Sequence, residues 1–142
     1  MDKGFVAQAS ITVNAGRKKV WKALVDPAAI RRYLFGTNVE SAWRKGSPII
    51  WRGVWEGKLY IDKGIILAIT PGKALRYTHF SPLSGLPDVP ENYHTVSIDL
   101  TEENNLTRVA LTQDGNPTEA ARDHSQKNWE AMLEGLKKTV EE

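Results

Sequence analysis

Apolar residues recur at every second position at the start of the chain and again through its middle. From Phe5 to Val13 the odd-numbered residues are apolar, whereas Gln8, Ser10 and Thr12 are polar. A period of two with one polar face predicts a half-buried strand. Further runs of this kind, separated by Gly, Pro and Lys, predict strands at residues 37–43, 48–55, 58–62, 64–69, 74–80, 93–101 and 106–114.

Two short helices are predicted between the first strand and the second. Val20 and Leu24 lie on one apolar stripe at helical spacing, and Asn14 precedes them as a candidate N-cap. The Asp-Pro pair at positions 26 and 27 ends this helix, because a residue before proline is pushed out of the α region. Pro27 then suits the first turn of a second helix that continues to about residue 34.

The end of the chain predicts one long amphipathic helix. Asn116 is its candidate N-cap, and Pro117 fits the first turn. The helix spans about 26 residues, or roughly 39 Å at 1.5 Å per residue, and so needs a broad curved sheet to cover its apolar stripe. The order of strand, two helices, further strands and long helix therefore predicts an α+β fold. The stripe is formed by Ala121, Ser125, Trp129, Met132, Leu136 and Val140.

The bulk composition narrows the functional classes. A length of 142 residues fits a single domain that spans residues 1–142. The absence of cysteine excludes disulfides and thiolate chemistry, and it suits a cytoplasmic protein. A formal net charge of +2 is too balanced to indicate nucleic-acid binding. The sequence shows neither a signal peptide nor an apolar run long enough for a membrane span.

The order of these elements, together with particular residues, resembles the SRPBCC superfamily of START and Bet v 1-like proteins. Within it, the chain resembles the branch named after the activator of Hsp90 ATPase. The resemblance covers almost the whole chain. It rests on the segments ITVNAGRKKVWKALVDP and GIILAITP, on Thr107, Val109, Leu111 and Thr112 near the last strand, and on Asn128-Trp129 with residues 133–136 in the last helix.

This resemblance implies a helix-grip fold, in which a curved antiparallel sheet of six or seven strands clasps the C-terminal helix around an apolar cavity. Related folds bind lipids, hormones or polyketides, and others act as cyclases, aromatases or co-chaperone domains. The large aromatic residues of this chain are consistent with plain core packing or with the wall of such a cavity.

Two histidines are expected at one end of that cavity. If the strands that flank the loop 81–92 pair as a hairpin, His79 and His94 lie side by side where the loop leaves the sheet, and both face the long helix. The last hairpin brings Gln113 to the same end, and His124 approaches from the helix. Arg52, in an otherwise apolar strand, is expected to face outward.

Three interpretations of this histidine cluster stay open. In the first, the histidines hold the loop in place. In the second, they form a polar recognition end of the cavity. In the third, they bind a metal together with loop residues such as Asp88 and Glu91. The metal site is the least favoured, because no HxH or HExxH spacing supports it. We expect no cofactor and assign no catalytic residue.

The leading functional hypothesis is binding of a small hydrophobic or aromatic ligand. A cyclase, aromatase or hydrolase that uses His79, His94 or an arginine is one alternative. Another is a protein-interaction domain related to Hsp90 co-chaperones, which would bind through the basic helical stretch 17–32 or the loop 81–92. The predicted cavity residues are Trp43, Trp51, Tyr60, Ile66, Tyr77, His79, His94, Val96, Ile98, Val109, Leu111, Gln113, Ser125, Trp129 and Met132.

Overall fold

Seven antiparallel strands form one open sheet, and three helices flank it, in the computed structural model, which describes residues 4–142. This α+β architecture confirms the predicted fold. Two short 3-10 turns, Pro82–Ser84 and Pro90–Asn92, lie in the loop after β5. The elements are β1 (Phe5–Val13), α1 (Arg17–Val25), α2 (Pro27–Tyr33), β2 (Asn38–Ser41), β3 (Pro48–Trp55), β4 (Lys58–Thr70), β5 (Ala74–His79), β6 (His94–Glu103), β7 (Leu106–Asn116) and α3 (Glu119–Glu141).

The strand order is β1-β7-β6-β5-β4-β3-β2, so β1 and β2 are the two edges of the sheet. The helices α1 and α2 carry the chain from one edge to the other. The long helix α3 runs alongside β1, because Gln126 accepts from the Gln8 amide near one end and Glu141 accepts from the Asn14 amide near the other. The sheet and α3 therefore enclose the space in which the interior lies.

The strand β4 is longer than the sequence pattern indicates. Residues 58–62 and 64–69 were predicted as two strands, because Gly64 reads as a break, but they form one continuous strand. Gly64 is needed for close packing, since a Cβ at this position would collide with the backbone oxygen of Thr78.

The strand β2 is shorter than predicted, and it ends before Trp43, whose φ of 55° turns the chain away from the sheet.

Both predicted asparagine caps are wrong. Gly16 occupies the N-cap of α1 without a side-chain hydrogen bond. The cap of α3 is Thr118, whose Oγ1 accepts from the Ala121 amide at 3.0 Å. Asn116 ends β7 instead and is buried there, where its Nδ2 donates to the Phe5 carbonyl at 2.9 Å. Both asparagines are used in tertiary contacts, which a local sequence pattern does not reveal.

Packing is tight where α2 meets α3. The Tyr33 hydroxyl donates to the Ala23 carbonyl at 3.1 Å, which fixes α2 against α1. A Cβ on Gly135 would lie 3.1 Å from the Cβ of Tyr33, so glycine permits the close approach of α2 and α3. Burial and nearby charge raise the pKa of Tyr33, with burial the larger cause.

The two halves of α3 differ in how deeply they are buried. In the C-terminal half, Met132, Leu133, Leu136 and Val140 are buried against α1, α2 and the sheet. In the N-terminal half, the apolar stripe continues but its side chains are only half-buried. The core therefore fills one end of the space under α3 and leaves the other end open.

Candidate functional site

A cavity of about 830 Å³ occupies the open end, between the concave face of the sheet and the N-terminal half of α3. Its wall is mostly apolar and aromatic, which is typical of small-molecule sites. Most of the predicted cavity residues line it, namely Trp43, Trp51, Tyr60, Tyr77, His79, His94, Val96, Ile98, Gln113, Ser125, Trp129 and Met132.

Three predicted cavity residues lie instead in the packed core. Val109 and Leu111 are fully buried on β7, next to β1, where α3 lies directly on the sheet and leaves no gap. Ile66 is fully buried in the core cluster, and its backbone exchanges hydrogen bonds with Gly46 and Ser47 of the loop after β2. The alternation of a strand shows which face is inward, but it does not show which part of that face is covered.

The strands β5 and β6 place two histidines side by side at one end of the cavity. His79 pairs directly with His94 in the register of the sheet, which confirms the expected hairpin. Their rings are stacked with centroids 6.4 Å apart. Gln113 pairs with Val96 on the next strand and reaches the same end, as expected.

His79 also forms a pair that the sequence did not predict. Its Nε2 lies 2.9 Å from Oδ2 of Asp62 on the neighbouring strand β4. A carboxylate only accepts, so Nε2 donates and the neutral ring keeps a lone pair on Nδ1. The Nδ1 atom has no hydrogen-bond partner among residues 4–142. The other carboxylate oxygen, Oδ1, is buried and has no partner in the same range.

His94 is held in the neutral form. Burial is the largest cause that lowers the pKa of His94, and the neighbouring His79 also lowers it. Its Nδ1 donates to the Asp114 carbonyl at 2.9 Å, which leaves a lone pair on Nε2. Gly115 makes room for this ring, since a Cβ there would lie 2.6 Å from Nδ1.

The amide of Gln113 has a structural role. Its Oε1 accepts from the indole Nε1 of Trp129 at 2.8 Å, and its Nε2 donates to the Asp114 carbonyl at 3.0 Å. Beside it, the Ser125 hydroxyl donates to Oδ1 of Asn116 at 2.8 Å. These bonds fasten the start of α3 to the end of β7, so the amide is already satisfied before any ligand binds.

Tyr77 provides an unused polar group in the wall. Its side chain is 8% exposed, and its hydroxyl has no hydrogen-bond partner within residues 4–142. Burial raises the pKa of Tyr77, so the hydroxyl stays protonated and can donate. The ring of Trp51 packs against both Tyr77 and His79, with centroids 5.3 Å from Tyr77 and 5.1 Å from His79.

The loop after β5 covers this end of the cavity without adding a carboxylate to the histidines. Asp88 forms an ion pair with Lys63 and accepts from the Tyr93 hydroxyl at 2.6 Å. These bonds lower the pKa of Asp88. The ring of Tyr93 also stacks on Phe80 at 5.1 Å. The loop is therefore fastened to β4. His124, on α3, does line the cavity, as expected.

Exposed apolar side chains surround the mouth of the cavity. Phe35 is 72% exposed, Trp55 is 60% exposed and Leu83 is 49% exposed, and all three belong to the cavity wall. This rim was not predicted from the sequence. The sequence did contain a pattern that indicates this rim. Phe35 and Trp55 each precede a turn that contains a glycine, and turns favour small or polar residues over large apolar ones.

A family model described as "Activator of Hsp90 ATPase homolog 1-like protein" matches residues 14–141. The chain belongs to this family. The resemblance inferred from the sequence is therefore confirmed. No curated protein is similar enough to this chain to be matched.

Solved structures share the fold of this Activator of Hsp90 ATPase homolog 1-like chain. A Cytophaga hutchinsonii protein solved in solution is 52% identical, with a TM-score of 0.87, over 99% of this chain and 97% of that one. The Aha1 dimer of Colwellia psychrerythraea is 19% identical, with a TM-score of 0.73, over 96% of each chain. DynU16, of the dynemicin biosynthetic locus, is 14% identical with a TM-score of 0.79, over 96% of this chain and 47% of that one. The last two show the fold alone.

Three further observations concern this member of the Activator of Hsp90 ATPase homolog 1-like family. No group of three or more His, Asp or Glu side chains that could hold a metal ion occurs within residues 4–142. Across the same residues, every helix is too short or too polar to cross a membrane. Arg52 faces outward, as expected, and pairs with Glu40 on β2.

Proposed function

We propose that the protein binds a small, neutral, apolar or aromatic molecule in the cavity under α3. The observation that carries this proposal is the cavity itself. Its volume of about 830 Å³ lies in the range of ligand sites, roughly 300–1,000 Å³. The aromatic side chains predicted at this place form its wall and do not fill it.

The charges of the wall favour a neutral ligand. The wall contains Asp62 and no lysine or arginine in the part of the chain that the structure describes. A carboxylate or phosphate would therefore enter an apolar space without a cation to compensate its desolvation. A neutral ring system avoids this cost and can pack against the aromatic rings of Trp51 and Trp129 in the wall.

Fluorescence of N-phenyl-1-naphthylamine, a neutral apolar dye, tests the proposal. We expect saturable binding at one dye per chain. Ser125→Phe places a ring on the wall and should weaken this binding about tenfold or more. Lys127→Phe is the matched control, because position 127 is exposed on the same helix and lies outside the wall. It should leave the dye affinity unchanged.

Native mass spectrometry of protein purified from its own host adds an independent measurement. A small molecule that is retained in the native spectrum and released on denaturation would support the cavity as a binding site. A protein that is empty and also fails to bind the neutral dye would exclude ligand binding as its function.

A protein-interaction role is the second candidate, favoured by the basic surface of α1. Lys18, Lys19 and Lys22 are exposed there and form no ion pair with any residue from 4 to 142. The loop 81–92 is less suited to this role, because Lys63 and Tyr93 already engage Asp88. The family name points to the Hsp90 of the host as the partner to test.

Isothermal titration with purified Hsp90 at low and high salt tests this candidate. Binding through α1 should weaken at higher ionic strength and should be lost when Arg17, Lys18 and Lys19 are neutralised. Neutralising Lys58, Arg76 and Arg108, which are exposed on the sheet, controls for the same loss of three charges. Absence of binding at low salt would reject the candidate.

A further inference from the structure

From the geometry of the polar end, we propose that the cavity is also a proton-transfer site, in which His79, oriented by Asp62, removes a proton from the carbon next to a ligand carbonyl while Tyr77 donates to the carbonyl oxygen. This inference rests on the proposed function, because the carbonyl compound must first bind in the cavity.

The pair of Asp62 and His79 has the properties of a general base. The 2.9 Å bond from Nε2 to Oδ2 fixes the ring and its tautomer, so that the basic lone pair lies on Nδ1. When Nδ1 takes a proton, the adjacent carboxylate stabilises the imidazolium that forms. The second oxygen of Asp62 is buried and accepts no hydrogen bond from residues 4–142. The negative charge of the carboxylate is therefore directed at His79 and is not neutralised by another group.

Tyr77 is positioned to stabilise the oxygen of the enolate. It lies two residues before His79 on β5, so both side chains leave the same face of the strand, with Cα atoms about 7 Å apart. Both side chains line the same cavity, so one ligand can contact the hydroxyl and the imidazole together. A buried, protonated hydroxyl without another partner is well suited to a developing oxyanion.

His94 keeps the site free of a competing positive charge. It stacks on His79, so a proton on both rings would be repulsive, and its neutral state leaves His79 as the proton acceptor. Its Nε2 can accept a hydrogen bond from a ligand hydroxyl. The two rings therefore have different roles, although they are paired across the same hairpin.

The proposed step is balanced without a further reactant. The C–H bond breaks, its electron pair moves into the enolate, and an N–H bond forms at Nδ1 of His79. The imidazolium then returns the proton to the same carbon, or to the far end of a conjugated enolate. The net result is hydrogen exchange or double-bond isomerisation, so no oxidant or reductant is needed.

Deuterium incorporation into 2-tetralone in D₂O, followed by proton NMR, tests the inference. We expect the protein to accelerate exchange next to the carbonyl above the buffer rate. His79→Gln and Tyr77→Phe should each lower the exchange rate by about 100-fold, which is typical for a general base or an oxyanion donor. Lys127→Gln is the control, since it changes an exposed side chain of α3 that lies outside the wall, and it should exchange normally.

Asp62 is a positioning residue, and its variant needs a separate readout. Asp62→Asn should lower kcat for exchange by about tenfold or more while KM and the affinity for N-phenyl-1-naphthylamine stay unchanged. A purely structural loss would weaken dye binding as well. Circular dichroism checks that each variant is folded, and His79→Gln alone suffices if Asp62→Asn does not fold.

The outcomes separate this inference from the proposed function. Dye binding without exchange of 2-tetralone, or of 1-indanone and acetophenone, overturns proton transfer and leaves ligand binding intact. Exchange that persists in His79→Gln also overturns it. If none of the three ketones displaces bound dye, the carbonyl ligand class is rejected. Failure to bind the dye at all rejects the proposed function itself.

Discussion

His79 and Asp62 are 17 positions apart, yet Nε2 of the histidine lies 2.9 Å from Oδ2 of the aspartate. The two strands that carry them are antiparallel neighbours, and their side chains meet under the ring of Trp51. The remaining oxygen of Asp62 is buried and lacks a partner within residues 4–142. The protein thus holds a charged side chain in a place where stability alone would favour an apolar residue.

Asp62→Leu should therefore stabilise the protein while removing the hydrogen bond between Asp62 and His79. Removing a buried acceptor that has no partner relieves a penalty of about 1–3 kcal/mol, and a leucine adds apolar contacts in the wall. We expect the free energy of unfolding in urea to rise by about 1 kcal/mol. A clear fall in stability would show that the pair with His79 contributes more than the unpaired oxygen costs.

The neutral state of His94 should make stability depend on pH. Burial lowers the pKa of His94 in the folded protein below its ordinary value of about 6.5. Below that pH, the unfolded chain therefore binds this proton more readily than the folded protein does. Its stabilising contribution is therefore present above pH 6.5 and is lost as the pH falls. The midpoint of urea unfolding at pH 7.5 and pH 5.5 measures the effect.

His94→Gln should reduce this loss of stability between pH 7.5 and pH 5.5, and His124→Gln should not. Carboxylates with lowered pKa values, such as Asp88 and Glu141, titrate at lower pH and do not interfere. An unchanged pH dependence in His94→Gln would show that another group is responsible.

Gly64→Ala should be strongly destabilising. The added methyl group would collide with the backbone oxygen of Thr78, and neither β4 nor β5 can move without disturbing the sheet. We expect a loss of about 3 kcal/mol or more in urea unfolding, in the range of severe overpacking. Gly16→Ala is the matched control, because φ at Gly16 is −70° and only side-chain atoms lie nearby. It should cost less than about 1 kcal/mol.

The true cap of α3 can be distinguished from the asparagine cap predicted for α1. Thr118→Ala removes the acceptor of the Ala121 amide and should cost about 1 kcal/mol. Asn14→Ala should cost much less, because the observed contact of Asn14 uses its backbone amide, which alanine retains. Thermal melting of both variants checks the difference, and equal losses would contradict it.

The sequence predicted what depends on local periodicity and on pairing of neighbouring strands. Alternation located the strands, and the hairpin around residues 81–92 brought His79 to His94. Asp62 was not predicted as a partner of His79, because that contact depends on the joint registers of β3, β4 and β5 and on the irregularity in β4. The register of three strands cannot be read from one alternating pattern.

The misplaced boundaries have a related cause. Asn14 and Asn116 both satisfy the local preference for a helix cap, but tertiary contacts with α3 and β1 use them differently. Gly64 marks a place where two strands approach closely, although a glycine in a strand is equally consistent with a break. In each case the residue type was informative, and the reason for it lay on another element.

The unequal burial of α3 divides one helix into a half that maintains the fold and a half that shapes the cavity. Its C-terminal half is constrained by the folding of the whole chain, because Leu133, Leu136 and Val140 are packed into the core. Its N-terminal half faces the cavity through side chains such as Ser125 and Trp129, whose replacement removes little of that core. Substitutions in the first half can therefore reshape the cavity while the packing of the second half stays unchanged.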